Sequence, residues 1–232
     1  MLDSTLINGK AYIHGTTYRT SSTTIPAATS GSQTLLAGIR GSSVKSLFAR
    51  FAQGGALVTG ATTTGACSNG KYDSFNPMIN SISFTVGGVR YPQQPVNPML
   101  SPAQAFRETQ IAIGSFNNAQ FQSCIVPSAY CRLSAGGTAS GMGVNNTKGA
   151  TQEYNWNLTS ASNTQAQFIF GGCLEVVAKR GLLSGLNCTS APIFAELNIA
   201  NAPTNSHTLF VQALMDMVLI HDIGSGDIQV RI

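Results

Sequence analysis

The chain has 232 residues, a length that suits one large domain or two small ones and allows a sizeable hydrophobic core. Hydrophobic residues make up 43% of it, but Asp, Glu, Lys and Arg together make up 9%, against about 25% in a typical soluble domain. Its surface must therefore consist mainly of uncharged polar residues and glycine, or be buried against other subunits. The net charge of +4 comes from basic residues spread along the chain, Lys45 among them, so we expect a mildly basic surface without a specific nucleic-acid site.

The start of the sequence and its cysteines bear on the cellular compartment. The first ten residues contain no basic segment followed by an apolar stretch, so we expect no signal peptide. The longest strongly apolar stretch, Met217 to Ile220, is far shorter than the roughly 20 residues of a transmembrane helix. The cysteines are odd in number and form no CxxC pair, which predicts mostly buried thiols in a reducing compartment. They are Cys67, Cys124, Cys131, Cys173 and Cys188. Sequons at Asn145, Asn157 and Asn187 would matter only on a secretory route.

Apolar residues recur at every second position along most of the chain, and this alternation predicts β-strands. In chain order the series are Leu35, Ala37, Ile39; Leu47, Ala49, Phe51; Ile82, Phe84, Val86; Phe168, Phe170, Leu174, Val176; Ile193, Ala195, Leu197, Ile199; Leu209, Val211, Ala213, Met215, Met217, Leu219; and Ile228, Val230, Ile232. Each series predicts a strand with one face on a core and the other toward water or a neighbour. Gly87 and Gly88 separate two such segments and predict a tight hairpin.

One helix is predicted after the hairpin. Ser101, Pro102 and Gln104 have the pattern of an N-cap, a proline at the first helical position and a capping-box glutamine. The apolar stripe that follows has helical spacing and ends near Gly114. It consists of Ala105, Phe106, Thr109, Ala112 and Ile113.

About eight strands, long loops and one inserted helix predict an all-β fold, a jelly-roll β-sandwich, because an up-and-down barrel would have short, even hairpins. The polar, glycine-rich stretch from Ser134 to Asn157 is predicted to be a long surface loop. We find no repeat and no linker. We therefore expect a single jelly-roll domain over residues 35–232, preceded by an N-terminal extension or first-strand region over residues 1–34.

The residues that usually carry catalysis are few and scattered. His14, His207 and His221 form no HxH or HxxxH pair, so the ligands of a metal-binding cupin are missing. Glu175 and Glu196 are at outward positions of predicted strands, whereas a glycosidase needs two facing carboxylates. Nucleophile and phosphate-binding motifs are also missing. We therefore expect a protein that is not an enzyme, with no catalytic residue, cofactor or metal site. An enzyme of the cupin or glycosidase type is kept as an alternative interpretation.

A cluster of aromatic and polar residues suggests an alternative function. Tyr154 and Trp156 alternate with Asn155 and Asn157 in the predicted loop region. Such a cluster could bind sugar, as in a carbohydrate-binding jelly roll of a lectin or viral spike. We favour the interpretation that it is an edge-strand plug over the core.

Two stretches of the sequence resemble a known family. The first contains Ser43–Phe51 (SVKSLFARF), Asn80–Pro92 (NSISFTVGGVRYP) and the helix Ser101–Gly114; the second is Phe168–Ile232. The second contains Leu174-Glu175, a loop with Ser184-Gly185, two predicted strands and a terminal strand. In this order they resemble the second jelly roll of viral double jelly-roll (hexon-like) major capsid proteins. They are similar to the C-terminal half of these proteins from polinton-like and adintovirus-type DNA viruses, in which a leucine–glutamate strand, a Ser-Gly loop, a strand, a strand with a buried aspartate and a terminal strand recur in that order.

The resemblance covers residues 35–232 and implies a structural protein of the virion, assembled inside the infected host cell. It implies other capsid subunits as partners, including penton and minor capsid proteins, and a trimer of two-barrel subunits with pseudo-hexagonal outline. This chain has about one barrel's worth of residues. It is therefore either a fragment of a two-barrel protein or a single-barrel relative. A lone barrel is expected to form pentons or to pair with another jelly-roll barrel.

Overall fold

The computed structural model describes residues 4–7, 9–53, 74, 76, 79–114, 125, 130, 168–175, 184–200 and 206–231. These residues form ten strands and one twelve-residue helix, α1 (Pro102–Ile113). The strands are β1 (Ser4–Ile7), β2 (Lys10–Ile25), β3 (Gly31–Ala37), β4 (Val44–Gln53), β5 (Ile79–Val86), β6 (Val89–Val96), β7 (Ile169–Cys173), β8 (Ile193–Ile199), β9 (His207–Asp222) and β10 (Ile228–Arg231).

The strands form two antiparallel sheets that pack face to face. Sheet A has the order β1-β2-β9-β4-β7, with β10 also paired to β9, and sheet B has the order β3-β8-β5-β6. From β2 to β9 the chain crosses repeatedly between the sheets, so that strands distant in sequence become neighbours. This strand order is that of an eight-stranded jelly roll, which confirms the predicted fold class. β1 and β10 are additions to the eight, and α1 lies between β6 and β7 in the chain.

The predicted alternation places the core correctly over most of both sheets. In β8 the four predicted inward residues are buried and the residues between them are half-buried. In β9 the same alternation holds from Leu209 to Met215. Ile39 is buried just after β3 ends. The position Val176, the loop Ser134–Asn157 and the last residue lie outside the described residues.

Aromatic rings from opposite sheets meet in the core. The rings of Phe84 in β5 and Phe170 in β7 stack with centroids 5.8 Å apart. Gly172 follows on the same face of β7, where a Cβ atom would lie 2.8 Å from Cδ2 of Phe84. The lack of a side chain at Gly172 is therefore what allows the Phe84 ring to lie against β7.

The helix begins and ends where the sequence predicts, but its N-terminal cap differs. Ser101 occupies the N-cap position with Pro102 at the start, yet the Ser101 side chain makes no capping hydrogen bond. The predicted capping box is therefore wrong. Asn97 holds the preceding turn instead: its Oδ1 accepts hydrogen bonds from the N–H groups of Met99 and Leu100. Gly114 ends the helix in the left-handed conformation with φ 82°.

The helix α1 covers the outer edge of sheet A. Oγ1 of Thr109 accepts a hydrogen bond from the N–H of Gly171, at 3.1 Å, and lies 2.7 Å from the carbonyl oxygen of Ile169. Both groups belong to β7, the edge strand beyond β4. The Thr109 hydroxyl thus occupies one hydrogen-bond donor and one acceptor of β7. On an exposed edge, both groups would be open to pairing with another chain. Nearby, Oγ of Ser46 donates to the carbonyl of Ala112 at 2.8 Å.

The end of sheet A that carries β10 extends beyond the core. Past Met215, the inward positions Met217 and Leu219 of β9 are only half-buried. Ile228 and Val230 in β10 are 63% and 54% exposed. The alternation of Ile228 and Val230 correctly predicts a strand. The core face that it predicts is wrong, because the described residues do not cover this end of the sheet.

Candidate functional site

A buried ion pair lies on the outer side of sheet A, between β4 and β9. Nζ of Lys45 is 2.8 Å from Oδ1 of Asp216, and the two residues are 8% and 4% exposed. Oδ2 of the same carboxylate accepts a hydrogen bond of 2.5 Å from Oγ of Ser43. Both oxygens of a buried charge thus have partners, as burial of a charge requires.

The same cluster holds the segment that follows residue 184. Oγ of Ser43 accepts a 3.0 Å hydrogen bond from the N–H of Gly185. Val44 and Leu186 exchange two backbone hydrogen bonds of 2.9 and 2.8 Å. A Cβ atom on Gly185 would lie 2.6 Å from the Val44 carbonyl group, so only glycine allows this close approach. The cluster therefore joins three distant parts of the sequence.

The sequence alone does not indicate that Lys45 and Ser43 are the partners of Asp216. Lys45 was expected to belong to a mildly basic surface, and that expectation is wrong. The register of β4 against β9 shifts between Val44 and Ser46, so Lys45 is the extra residue of a β-bulge. Asp216 follows the buried Met215 directly, so it lies on the outward face of β9. The alternation predicts that face but not the lysine that covers the carboxylate.

The outward face of sheet B carries a second charged cluster. Oε1 of Glu196 accepts a 2.7 Å hydrogen bond from Oγ1 of Thr85, and Oε2 accepts two from Arg90, at 3.0 and 2.7 Å. The Thr85 hydroxyl, and after it the Arg90 guanidinium, hold the pKa of Glu196 below its ordinary value. The predicted outward position of Glu196 is confirmed.

A shallow groove of about 300 Å³ lies around Glu196 on this face. Its lining comes from β3, β5, β6 and β8 and is mostly uncharged and polar. Apart from Arg90 and Glu196 it consists of Ser32, Gln33, Thr34, Ser81, Ser83, Pro95, Leu197 and Asn198.

Over residues 16–24 of β2, the outward face of sheet A is uncharged. Its exposed residues there are Thr16, Tyr18, Thr20, Ser22 and Thr24. Tyr18 is 65% exposed. Farther across the sheet, the guanidinium of Arg50 lies 5.0 Å from the centre of the Phe210 ring, a cation–π contact. Both outward faces therefore expose hydroxyl and amide groups with few charges, as the composition indicates.

The other residues singled out in the sequence lie apart. His207 is buried at the start of β9, whereas His14 and His221 are half-buried on the extending end of sheet A. Glu175 lies two residues beyond the end of β7, so its expected place within a strand is wrong. Its Oε1 accepts a 2.7 Å hydrogen bond from Oγ of Ser184.

Two cysteines lie among the described residues. Cys188 is buried and Cys173 is half-buried, and both are free thiols. Burial raises the pKa of both thiols. Asn187, the sequon asparagine beside Cys188, is exposed, and its Oδ1 accepts hydrogen bonds from Thr189. The cysteines Cys67, Cys124 and Cys131, the sequons at Asn145 and Asn157, and the cluster with Tyr154 and Trp156 lie outside the described residues.

Across the described ranges, no three His, Cys, Asp or Glu side chains are grouped so that they could hold a metal ion. In the same ranges no helix has the length and apolar character needed to cross a membrane.

The sequence matches no protein-family model and no curated protein sequence. The structure is similar to that of the mavirus major capsid protein, with 10% identity and a TM-score of 0.49, over 97% of this chain and 42% of that one. It is also similar to PBCV-1 VP54, with 15% identity and a TM-score of 0.41, over 95% of this chain and 51% of that one. A chain of the Sputnik virophage matches with 12% identity and a TM-score of 0.39, over 95% of this chain and 39% of that one. The chain thus resembles viral double jelly-roll major capsid proteins in fold and spans about half of their length or less.

Proposed function

We propose that this chain is a structural subunit of a virus capsid and has no catalytic activity. The observation that carries the proposal is the cluster of Ser43, Lys45 and Asp216. Ser43 begins the first stretch that resembles capsid proteins, and Asp216 and Gly185 belong to the second. The aspartate that the resemblance implies to be buried is Asp216, and its partners come from the other stretch.

The surface supports a role in assembly. Only 9% of the residues are charged, and the outward faces of both sheets present mostly Ser, Thr, Asn and Gln side chains. Burying such faces against another subunit costs little desolvation free energy, because few charges must be taken out of water. A shell subunit buries several side surfaces at once, and this surface suits that use.

The partners belong to the proposal. We infer that the chain assembles with other capsid subunits in the virion, either as a trimer or by pairing with a second jelly-roll barrel, inside the infected host cell. Penton and minor capsid proteins would be further partners.

The test is the assembly state of the purified chain. We expect trimers, shell-like particles, or a stable complex with a co-expressed second barrel, measured by sedimentation velocity and negative-stain microscopy. Tyr18→Ser removes a large exposed side chain and is expected to weaken assembly, whereas Thr24→Ser, on the same face of β2, is the matched control. A monodisperse monomer at high concentration, with no shell-like particles in the source preparation, would contradict the proposal.

The second candidate function is carbohydrate binding. The groove around Glu196 favours carbohydrate binding, because the hydroxyl, amide and charged groups that line the groove are of the kind that bind sugar hydroxyls. A glycan array tests it: binding should fall with Asn198→Ala in the groove, or with Trp156→Ala if the aromatic cluster binds the sugar. Absence of binding to any glycan would eliminate this function.

A further inference from the structure

The strand β10 is an exposed edge of sheet A. Among the described residues its strand partner is β9, and all four of its side chains are exposed. A tight turn leads into it, in which Oδ1 of Asp222 accepts hydrogen bonds from the N–H groups of Gly224 and Ser225. Within the described part of the chain, β10 is therefore paired with another strand on one side only.

The pairing with β9 determines which backbone groups of β10 point away from the sheet. The N–H of Asp222 donates to the carbonyl of Asp227 at 2.9 Å, and the register continues with Gln229 opposite Ile220. In an antiparallel pair, residues bonded to the partner alternate with residues whose N–H and C=O groups point the other way. The backbone groups of Ile228 and Val230 are therefore directed to the open edge.

The sequence of this segment is complementary to itself. Residues 227–231 read Asp-Ile-Gln-Val-Arg. In an antiparallel pair of two copies centred on Gln229, each Asp227 lies opposite the other copy's Arg231. Each Ile228 lies opposite a Val230, and these are the residues whose backbone groups point outward. The charge signs, the apolar pairs and the backbone pattern thus agree on one register.

Other sheet edges lack one or more of these features. β6 contains Pro92 and Pro95, which cannot donate backbone hydrogen bonds. The edge of β7 is covered by Thr109. β1 and β3 contain no charged residue, so no charge pairing specifies a register for them.

We propose that β10 pairs antiparallel with β10 of a second copy of this chain, about a two-fold axis at Gln229. The two strands exchange backbone hydrogen bonds at Ile228 and Val230, and two Asp227–Arg231 ion pairs lie at the ends. Ile228 and Val230 of both copies form one apolar patch on the face where they are now exposed. The short contact is weak by itself and gains strength where many copies are held together.

The register is tested by a cysteine at its centre. Opposed residues that do not share hydrogen bonds have Cα atoms about 4.5 Å apart, within the range that a disulfide spans. We expect Gln229→Cys to form a symmetric disulfide dimer under mild oxidation, visible on non-reducing gels and located by peptide mass mapping. Ser225→Cys, exposed in the turn and off the axis, is the matched control, and the unchanged chain reports the native thiols. A rate for Gln229→Cys no greater than that for Ser225→Cys would overturn the proposal.

Charge exchange in the Gln229→Cys background tests the ion pairs. Asp227→Arg or Arg231→Asp alone places like charges opposite each other twice, and each should slow cross-linking roughly threefold to tenfold at low salt. The double change restores opposite charges and should restore the rate. Single changes without effect, or a double change that restores nothing, would disprove this register. Cross-linking is measured on the isolated chain. A failure to cross-link would therefore disprove the β10 pairing without bearing on whether the chain assembles into a capsid.

Discussion

Lys45 and Asp216 form an ion pair of 2.8 Å that lies almost entirely out of water, although 171 positions separate them in the sequence (216 less 45). Lys45 is the bulge residue of β4, and Asp216 follows the last fully buried inward residue of β9. The pair therefore lies where the enclosed sandwich ends and the extending part of sheet A begins. Ser43 connects it to Gly185, so that its loss would affect both β9 and the segment after residue 184.

Asp216→Asn is expected to lower the free energy of unfolding by about 3–5 kcal/mol, because it leaves the Lys45 ammonium buried without a counter-charge. Urea denaturation measures the loss. The double change Lys45→Met with Asp216→Asn should recover most of it, since no buried charge remains. Lys10→Met is the matched control: the Lys10–Asp222 pair, at 3.6 Å, is exposed and screened by water, so its loss should change stability far less. If Asp216→Asn and Lys10→Met lowered the free energy of unfolding equally, burial of the Lys45–Asp216 pair would not explain its effect on stability.

Thr109→Val keeps the shape of the side chain but removes the hydroxyl that bonds to the edge of β7. The N–H of Gly171 and the carbonyl of Ile169 then lose that partner, and stability should fall by about 1–3 kcal/mol. Hydrogen exchange at the Gly171 amide should become faster. Thr109→Ser retains the hydroxyl and should retain the slow exchange. Unchanged exchange in the valine variant would show that the hydroxyl does not protect this edge.

Gly172→Ala is expected to destabilise the core by about 1–3 kcal/mol, because its Cβ would lie 2.8 Å from the Phe84 ring. Thermal unfolding measures the effect. Gly15→Ala is a suitable control on β2, since a Cβ there would meet Cε of Met217 at an ordinary 3.6 Å. If both alanines were equally tolerated, the close packing of Phe84 against β7 would be refuted.

Glu196 should make stability depend on acid pH. Its folded pKa is held below the ordinary value, first by the Thr85 hydroxyl and then by Arg90. Its stabilisation is therefore fully present above the unfolded pKa of 4.5 and is lost as the pH falls through the lower folded value. Thr85→Val should raise the pKa of Glu196, as followed by carboxyl NMR titration, and weaken this dependence. Thr85→Ser keeps the hydroxyl and should leave the pKa low; a pKa unaffected by the valine would rule out the hydroxyl as its cause.

Local patterns in the sequence predict most of the fold. Alternating apolar residues are a property of neighbouring positions, so they identify β4, β5, β8 and β9 and the face of each that packs in the core between the sheets. The proline after Ser101 and the glycine at position 114 likewise predict the ends of α1, because both restrict the backbone locally. The capping box fails since the turn held by Asn97 already orders that end of the helix.

By itself, the sequence determined an all-β sandwich with one helix, a surface poor in charge and a resemblance to viral capsid proteins. Only the tertiary structure decided that Lys45 meets Asp216, that Thr109 covers the edge of β7 and that β10 is exposed. The physical reason is distance along the chain: alternation says which face of a strand is apolar, whereas strand pairing says what lies opposite that face. The apolar residues of β10 carry a core pattern, yet the enclosed part of the sandwich ends before it reaches them.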